Sequence, residues 1–163
     1  MNRIAAFPGT FDPITNGHLD IVKRGLNIFD ELIVAVAENP QKGTLFSTEE
    51  RVEMVRESLA GFPSVKVESF GNLLIDYLRE KNINVAIRGL RVMSDFEHEF
   101  QMALINRKLD PRIETVFMMT SEESSYISSR FLKEIFRLGG KVDCFVPLPV
   151  IKKLKEKMGT DNG

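Results

Sequence analysis

Two hydrophobic periods alternate along the chain. Short β-forming runs fall at 3–7 (RIAAF), 32–37 (LIVAVA), 65–69 (VKVES), 84–88 (NVAIR) and 113–119 (IETVFMM). They are mostly apolar rather than strictly alternating, which suits strands of a parallel sheet covered on both faces. Between them the spacing turns helical. Leu19, Val22, Leu26 and Phe29 lie on or near one face of a helix predicted over 18–29, and Val52, Val55 and Leu59 form the stripe of another over 47–60. Ser47 and Glu50 have capping-box spacing at its start, as Ser94 and Glu97 do further on. Further helices are predicted at 72–81 after Asn72, 94–109 after Ser94, about 128–138 and about 149–158, with Gly139 and Gly140 as a helix stop. The alternation specifies an α/β domain with a doubly wound parallel five-stranded sheet and helices on both faces. The phenylalanines, Phe11 and Phe46 among them, are expected in the core.

Composition narrows the function more by exclusion than by suggestion. The chain has 163 residues, 43% of them apolar, which fits a single domain over 1–158, C-terminal helices included, with a frayed tail at 159–163. Lys and Arg number 22 against 23 Asp and Glu. That balance argues against a nucleic-acid partner, although a few converging cations would be invisible in the sum. Cys144 is alone, and His18 and His98 are the two histidines, so neither a four-ligand zinc site nor a CxxC redox pair can be assembled. No apolar run approaches membrane-spanning length and no basic-then-apolar leader opens the chain, so no membrane partner and a cytoplasmic location are expected. The run Lys152, Lys153, Lys155, Lys157 reads as the solvated face of a terminal helix.

Chemistry concentrates after the first strand, in Pro8-Gly9-Thr10-Phe11-Asp12-Pro13-Ile14-Thr15-Asn16-Gly17-His18. In doubly wound folds, ligands collect outside the carboxyl ends of the strands. The segment holds neither GxGxxG nor GxxxxGK[ST], so the dinucleotide and Walker readings lose their support. Gly17 permits close backbone approach, the helix start offers unpaired N–H donors to a phosphate, and His18 could donate to a phosphoryl oxygen. The plainer reading is that His18 bonds its own turn. Arg88-Gly89-Leu90-Arg91 follows the fourth strand; two guanidiniums flanking a glycine suit a strand end that faces an anion. Ser124-Ser125-Tyr126-Ile127-Ser128-Ser129-Arg130 leads into a helix, where hydroxyls and free N–H groups make a phosphate nest while also serving as ordinary caps.

PGTFDPITNGH resembles the signature of the HxGH nucleotidylyltransferases, with Thr15 in place of the first histidine. From Arg3 to about Met158 the chain is similar to the phosphopantetheine adenylyltransferase family, where the Thr-x-Gly-His form is usual. The resemblance implies a Rossmann-like nucleotidylyltransferase fold. It also implies that ATP and 4'-phosphopantetheine are converted to 3'-dephospho-coenzyme A and pyrophosphate. By the same resemblance, Thr10, Lys42 and Arg88 hold phosphopantetheine, and Leu74 lines its pantetheine site. Thr10, Phe11, His18, Gly89, Leu90, Arg91, Glu99 and the stretch Ser124, Ser125, Tyr126, Ile127, Ser128, Ser129 and Arg130 hold ATP. The catalytic set is Thr10, His18, Lys42 and Arg91. Taken singly, Lys42 is an ordinary surface lysine and Leu74 a core leucine.

Three positions depart from the family's usual residues: Phe7 for Tyr, Ser124 for an aromatic residue, and Arg130 for Ser or Thr. Arg130 reads either as an added phosphate contact or as a solvent-facing side chain. Asp95, Glu97 and Glu99 could be taken for a carboxylate acid/base set, but an acceptor that is already a phosphate needs none. The family further implies magnesium bridging the ATP phosphates without direct protein ligands, a homohexamer, and feedback inhibition by coenzyme A. Two alternatives stay open on the residues. One is another HxGH adenylyl- or cytidylyltransferase, such as a nicotinate-mononucleotide adenylyltransferase; the other is a non-catalytic nucleotide-binding protein.

Overall fold

The computed structural model describes residues 2–38 and 43–159. Five parallel strands, β1 (Ile4–Gly9), β2 (Glu31–Ala37), β3 (Val65–Phe70), β4 (Val85–Leu90) and β5 (Glu114–Met119), form one sheet in the order β3-β2-β1-β4-β5. Helices α1 (Asn16–Gly25), α2 (Thr48–Ser58), α3 (Leu74–Glu80) and α4 (Met93–Leu109) follow the first four strands, and α5 (Ser129–Arg137) and α6 (Leu148–Met158) come last. This is the doubly wound arrangement that the hydrophobic periods specify. The chain steps outward from β1 through β2 to β3, then returns to the other side of β1 for β4. Connections therefore diverge between β1 and β4, which opens a crevice at their carboxyl ends.

Alternate strand residues face two separate cores, which is why the strands read as nearly unbroken apolar runs. Phe7, Leu32, Val34, Val36 and Ile87 face one side, where α1, α2, α5 and α6 cover them with Ile21, Val22, Met54, Val55, Leu132, Phe136, Val150 and Leu154. Ala6, Ile33, Ala35 and Ala86 face the other side, packed by Ile75, Tyr77 and Leu78 of α3. Helix α4 shares that second side but has no buried residue. Phe96, Phe100 and Phe131 are exposed, contrary to the expected burial of the phenylalanines. On α4 the reason is that no other described element packs over the helix.

Several boundaries move for local reasons. Helix α1 starts two residues before the expected 18 and stops at Gly25, whose carbonyl accepts from both Ile28 and Phe29 N–H as the chain turns away. Strand β4 runs on to Leu90, so Arg88 sits inside the strand opposite Phe117 rather than at its end. Ser94 lies within α4 and does not cap it; the cap position is Val92. Asn72 gives its side chain to Glu80 instead of capping α3. Gly139 takes a left-handed φ of 82° after α5, as a helix stop requires. The lysines of α6 are not all solvated, since Lys153 pairs with Glu53 and Lys157 with Glu50 on α2. Of the expected frayed tail, Gly159 closes α6 with a φ of 60°, and 160–163 lie outside the described residues. Among the described residues, no helix is long and apolar enough to cross a membrane.

Leu32 is fully buried on the thicker face. Leu32→Ala removes its side chain from a close-packed layer, and urea unfolding should show a loss of about 2–5 kcal/mol. A loss below about 1 kcal/mol would contradict that packing.

Candidate active site

The crevice between β1 and β4 is a cleft of about 760 Å³. Its walls come from four places: the β1–α1 loop, the end of β4 with the first turns of α4, the stretch before α5, and the start of α5 itself. Two helix starts, α1 with Gly17 and His18 and α5 with Ser129 and Arg130, border it. Each offers N–H groups of a first turn, which favour anions. Gly17 permits a close approach, but the neighbour is Ser124: a Cβ on Gly17 would stand 3.3 Å from the Ser124 Cβ. Thus Gly17 lets two walls of the cleft meet.

Cations and carboxylates line the cleft in pairs. Arg88 donates Nε and Nη2 to the two oxygens of Glu99, each at 2.6 Å, and Nη1 to the Pro8 carbonyl at 2.6 Å. Arg91 grips Asp95 through Nε and Nη2 at 3.1 Å each and reaches the Ile127 carbonyl with Nη1. Lys133 of α5 donates to Asp12 Oδ2 at 2.5 Å, and Asp12 also accepts the backbone N–H groups of Leu45 and Phe46. Asp95 and Glu99, four apart on α4, share one helical face. These carboxylates hold cations.

His18 is held from its own turn. The Thr15 N–H donates to its Nδ1 at 3.0 Å, and Thr15 Oγ1 lies 3.0 Å from the same nitrogen. A ring nitrogen that accepts from an N–H carries no proton, so the neutral ring's proton sits on Nε2, away from Thr15. The plainer reading of His18 is therefore satisfied, and it leaves the other nitrogen as a donor. The rings of Phe11 and Phe7 flank His18, with centroids 5.0 and 6.2 Å away. Burial, then the charges of Arg91 and Arg88, push the imidazole down from 6.5 to about 4.

Of the residues singled out from the sequence, Thr10, Phe11, His18, Arg88, Gly89, Arg91, Glu99, Ser124, Ile127, Ser128, Ser129 and Arg130 all line this cleft. Ser128 caps α5 by accepting from Phe131 N–H, and the Ser129 hydroxyl donates to the Pro13 carbonyl. Arg130 lines the cleft with an exposed side chain. Leu90, Ser125 and Tyr126 are not among the lining residues; Ser125 donates to the Glu122 carbonyl, and Tyr126 is exposed with its ring edge-on to Phe145. Leu74 lines a separate cavity of about 190 Å³, which shares Arg88 and Glu99 with the cleft. Lys42 lies outside the described residues.

A cytidylyltransferase-like family model matches residues 6–135. The phosphopantetheine adenylyltransferase of Syntrophus aciditrophicus is 54% identical over 157 residues, covering 96% of this chain and 95% of that protein. The chain belongs to the phosphopantetheine adenylyltransferase family. Proteins of that name from Carboxydothermus hydrogenoformans and an Anaeromyxobacter species are 54% and 50% identical, over 95% and 98% of this chain and 96% and 97% of their own lengths. Among solved structures, a bifunctional NMN adenylyltransferase/ADP ribose pyrophosphatase from Francisella tularensis, complexed with AMP and a manganese ion, matches with a TM-score of 0.72 at 18% identity. It covers 99% of this chain, which spans about half (50%) of that protein's length. At that identity the likeness establishes the fold.

Two features of this phosphopantetheine adenylyltransferase family member escape the sequence motifs, Lys133 in the cleft and the buried Arg51 beneath the first loop, and Asp12 stands inside the first motif without being singled out by it. Lys133 had a visible signal, since it follows Ser129 by one helical turn and so shares its face. Arg51 did as well: an arginine one turn from Met54 and Val55 falls on the apolar stripe of α2.

In the free enzyme, the depressed His18 pKa means that the ring stays neutral from pH 8 down past pH 5 and takes up a proton only on further acidification. Imidazole NMR, assigned with a His98→Gln variant, should place the His18 midpoint below pH 5 with the proton on Nε2. A midpoint near 6.5 would contradict the geometry.

Proposed function

We propose that the chain transfers the adenylyl group of ATP to the phosphate of 4'-phosphopantetheine, releasing pyrophosphate and 3'-dephospho-coenzyme A, a step of coenzyme A biosynthesis. The observation that carries this reading is the convergence of His18, Arg88, Arg91 and the start of α5 on one strand-end cleft, in a chain of this family. The acceptor phosphate is nucleophilic at neutral pH, so neither a base nor a covalent enzyme intermediate is required. Catalysis then consists of positioning and charge stabilisation.

In this reading Thr10, Lys42 and Arg88 hold the acceptor phosphate, and the cavity at Leu74 takes the pantetheine arm. His18 donates its Nε2 proton to a non-bridging oxygen of the α-phosphoryl group as negative charge builds there. Phe11, Gly89, Leu90, Glu99 and the 124–130 stretch hold the nucleotide, with Arg91, Ser129 and Arg130 at the leaving pyrophosphate. Arg88 and Arg91 keep N–H donors beyond those spent on their carboxylates, since a guanidinium has five. Magnesium carried by ATP would offset the charge of the phosphates, while Asp12, Asp95 and Glu99 stay paired with Lys133, Arg91 and Arg88. Coenzyme A carries both nucleotide and pantetheine portions and would compete for the same surfaces as a feedback inhibitor. ATP as co-substrate is in keeping with a cytoplasmic enzyme.

A homohexamer is part of the same proposal. Helix α4 exposes Phe100, Met102, Leu104, Ile105 and Leu109, apolar side chains that a second copy could cover. Light scattering should give a six-chain mass that falls on Phe100→Asp; a wild-type monomer would overturn the assembly.

Offered ATP with phosphopantetheine or nicotinate mononucleotide separately, the enzyme should release pyrophosphate with the first. Turnover with the second alone would favour the relative of different acceptor, and ATP binding without turnover of either would favour the silent nucleotide binder. His18→Ala should cost about 2–4 kcal/mol of transition-state stabilisation, or about 30- to 1,000-fold in kcat, by analogy with the loss of one oxyanion donor. Near-normal turnover by folded variant would remove His18 from the mechanism.

A further inference from the structure

Among the described residues, Arg51 is the largest side chain that is fully buried, at 1% exposure. Its partners are unusual for a buried cation, because they are neutral oxygens drawn from several segments. Nη1 donates to the carbonyls of Thr10 and Ala37, each at 2.7 Å; Nη2 donates to the Glu38 carbonyl and Thr48 Oγ1, each at 3.0 Å; Nε donates to the Phe46 carbonyl at 3.2 Å. One planar fork thus gathers the first loop, the end of β2 and the approach to α2. Burying a guanidinium is costly unless its donors are satisfied, and packing alone does not call for it, since Met54 and Val55 already seat α2 on the sheet.

What the fork holds is functional backbone. Thr10 lines the cleft, and its carbonyl is the one that Arg51 takes. The next residue, Phe11, has a φ of 49°, a left-handed value that a bulky side chain adopts only when its surroundings enforce it. Its ring then stands edge-on against His18. Asp12 completes the arrangement from the opposite side. It accepts the Phe46 N–H at 3.0 Å while Arg51 takes the Phe46 carbonyl, so the two backbone groups of that residue are fixed by buried charges of opposite sign.

We infer that Arg51 is a positioning residue for adenylyl transfer: by holding the Thr10 carbonyl in register with the end of β2, it sets where the first loop presents Thr10 and His18 to the substrates. This rests on the reading of Thr10 as a contact to the acceptor phosphate. Among the described residues, the ATP elements at β4, α4 and α5 make no hydrogen bond to Arg51, so its loss reaches the nucleotide only through Phe11 and His18 and falls mainly on the acceptor and on turnover.

The test is steady-state kinetics of Arg51→Lys, expressed per folded molecule from circular dichroism at a temperature below its midpoint. A lysine keeps the charge but cannot span the same carbonyls. It should lower kcat/KM for phosphopantetheine about ten- to a hundredfold and leave the KM for ATP within about threefold. A lowered Tm with kcat/KM for phosphopantetheine within about threefold, or equal losses for both substrates, would make Arg51 merely structural and overturn the proposal. Should Arg51→Lys fail to fold, Thr48→Val decides. It unties one anchor of the fork and should give about a two- to fivefold loss in the same direction; parity there overturns the proposal. Thr10→Val separates this claim from the reading beneath it. If Thr10→Val leaves acceptor kinetics unchanged while Arg51→Lys impairs them, the clamp stands and the role of Thr10 falls. The converse pattern removes the clamp and keeps Thr10.

Discussion

Cations gathered at one end of a sheet repel one another, and a cleft for two polyanionic substrates must hold them there before either substrate arrives. Here three of them are held by carboxylates: Arg88 by Glu99, Arg91 by Asp95, Lys133 by Asp12. The pairing neutralises the free cleft and fixes the guanidinium planes, so less order must be imposed when a phosphate binds. His18 is governed mainly by burial. Held in its own turn, with the charges of Arg91 and Arg88 adding to the effect of burial, the imidazole stays uncharged and keeps a single directed proton on Nε2.

That constraint reaches outward into the fold. Asp95 and Glu99 must face the cleft from one side of α4, so the helix is set by its two ion pairs and not by an apolar stripe. Its remaining surface, with Phe100 and Leu104, is left uncovered by the described residues. On the opposite wall the requirement falls on backbone. The first loop carries no cation of its own, and a buried arginine from beneath, together with the loop's own buried Asp12, fixes its path. The two helix starts that flank it add dipoles and N–H groups of the sign that phosphates require.

The strands and their doubly wound order were legible because burial on both faces leaves continuous apolar runs such as LIVAVA, which few other structures produce. Helix starts were less so. Ser94 and Glu97 have the spacing of a cap, yet α4 begins at Met93, because the Asp95 carboxylate receives the Arg91 N–H at 3.2 Å and anchors the turn instead. Asn72 likewise finds Glu80 before it can cap. The exposed phenylalanines of α4 were illegible for a different reason: apolar spacing tells that a face wants cover, not which chain covers it. In the cleft, the motif residues were legible as residues, but their partners were not. That Arg88 and Arg91 are each locked by a carboxylate from the next helix depends on how β4 and α4 cross.

The central claim is that this cleft works by aligning two substrates for direct displacement at the α-phosphorus, with no group of the protein bonded to the adenylyl unit. The most direct measurement is the stereochemical course of transfer from ATP made chiral at the α-phosphorus with sulfur. A single in-line displacement predicts inversion of configuration in the dephospho-coenzyme A analogue. Retention would mean two displacements through an adenylylated side chain, and would contradict the account.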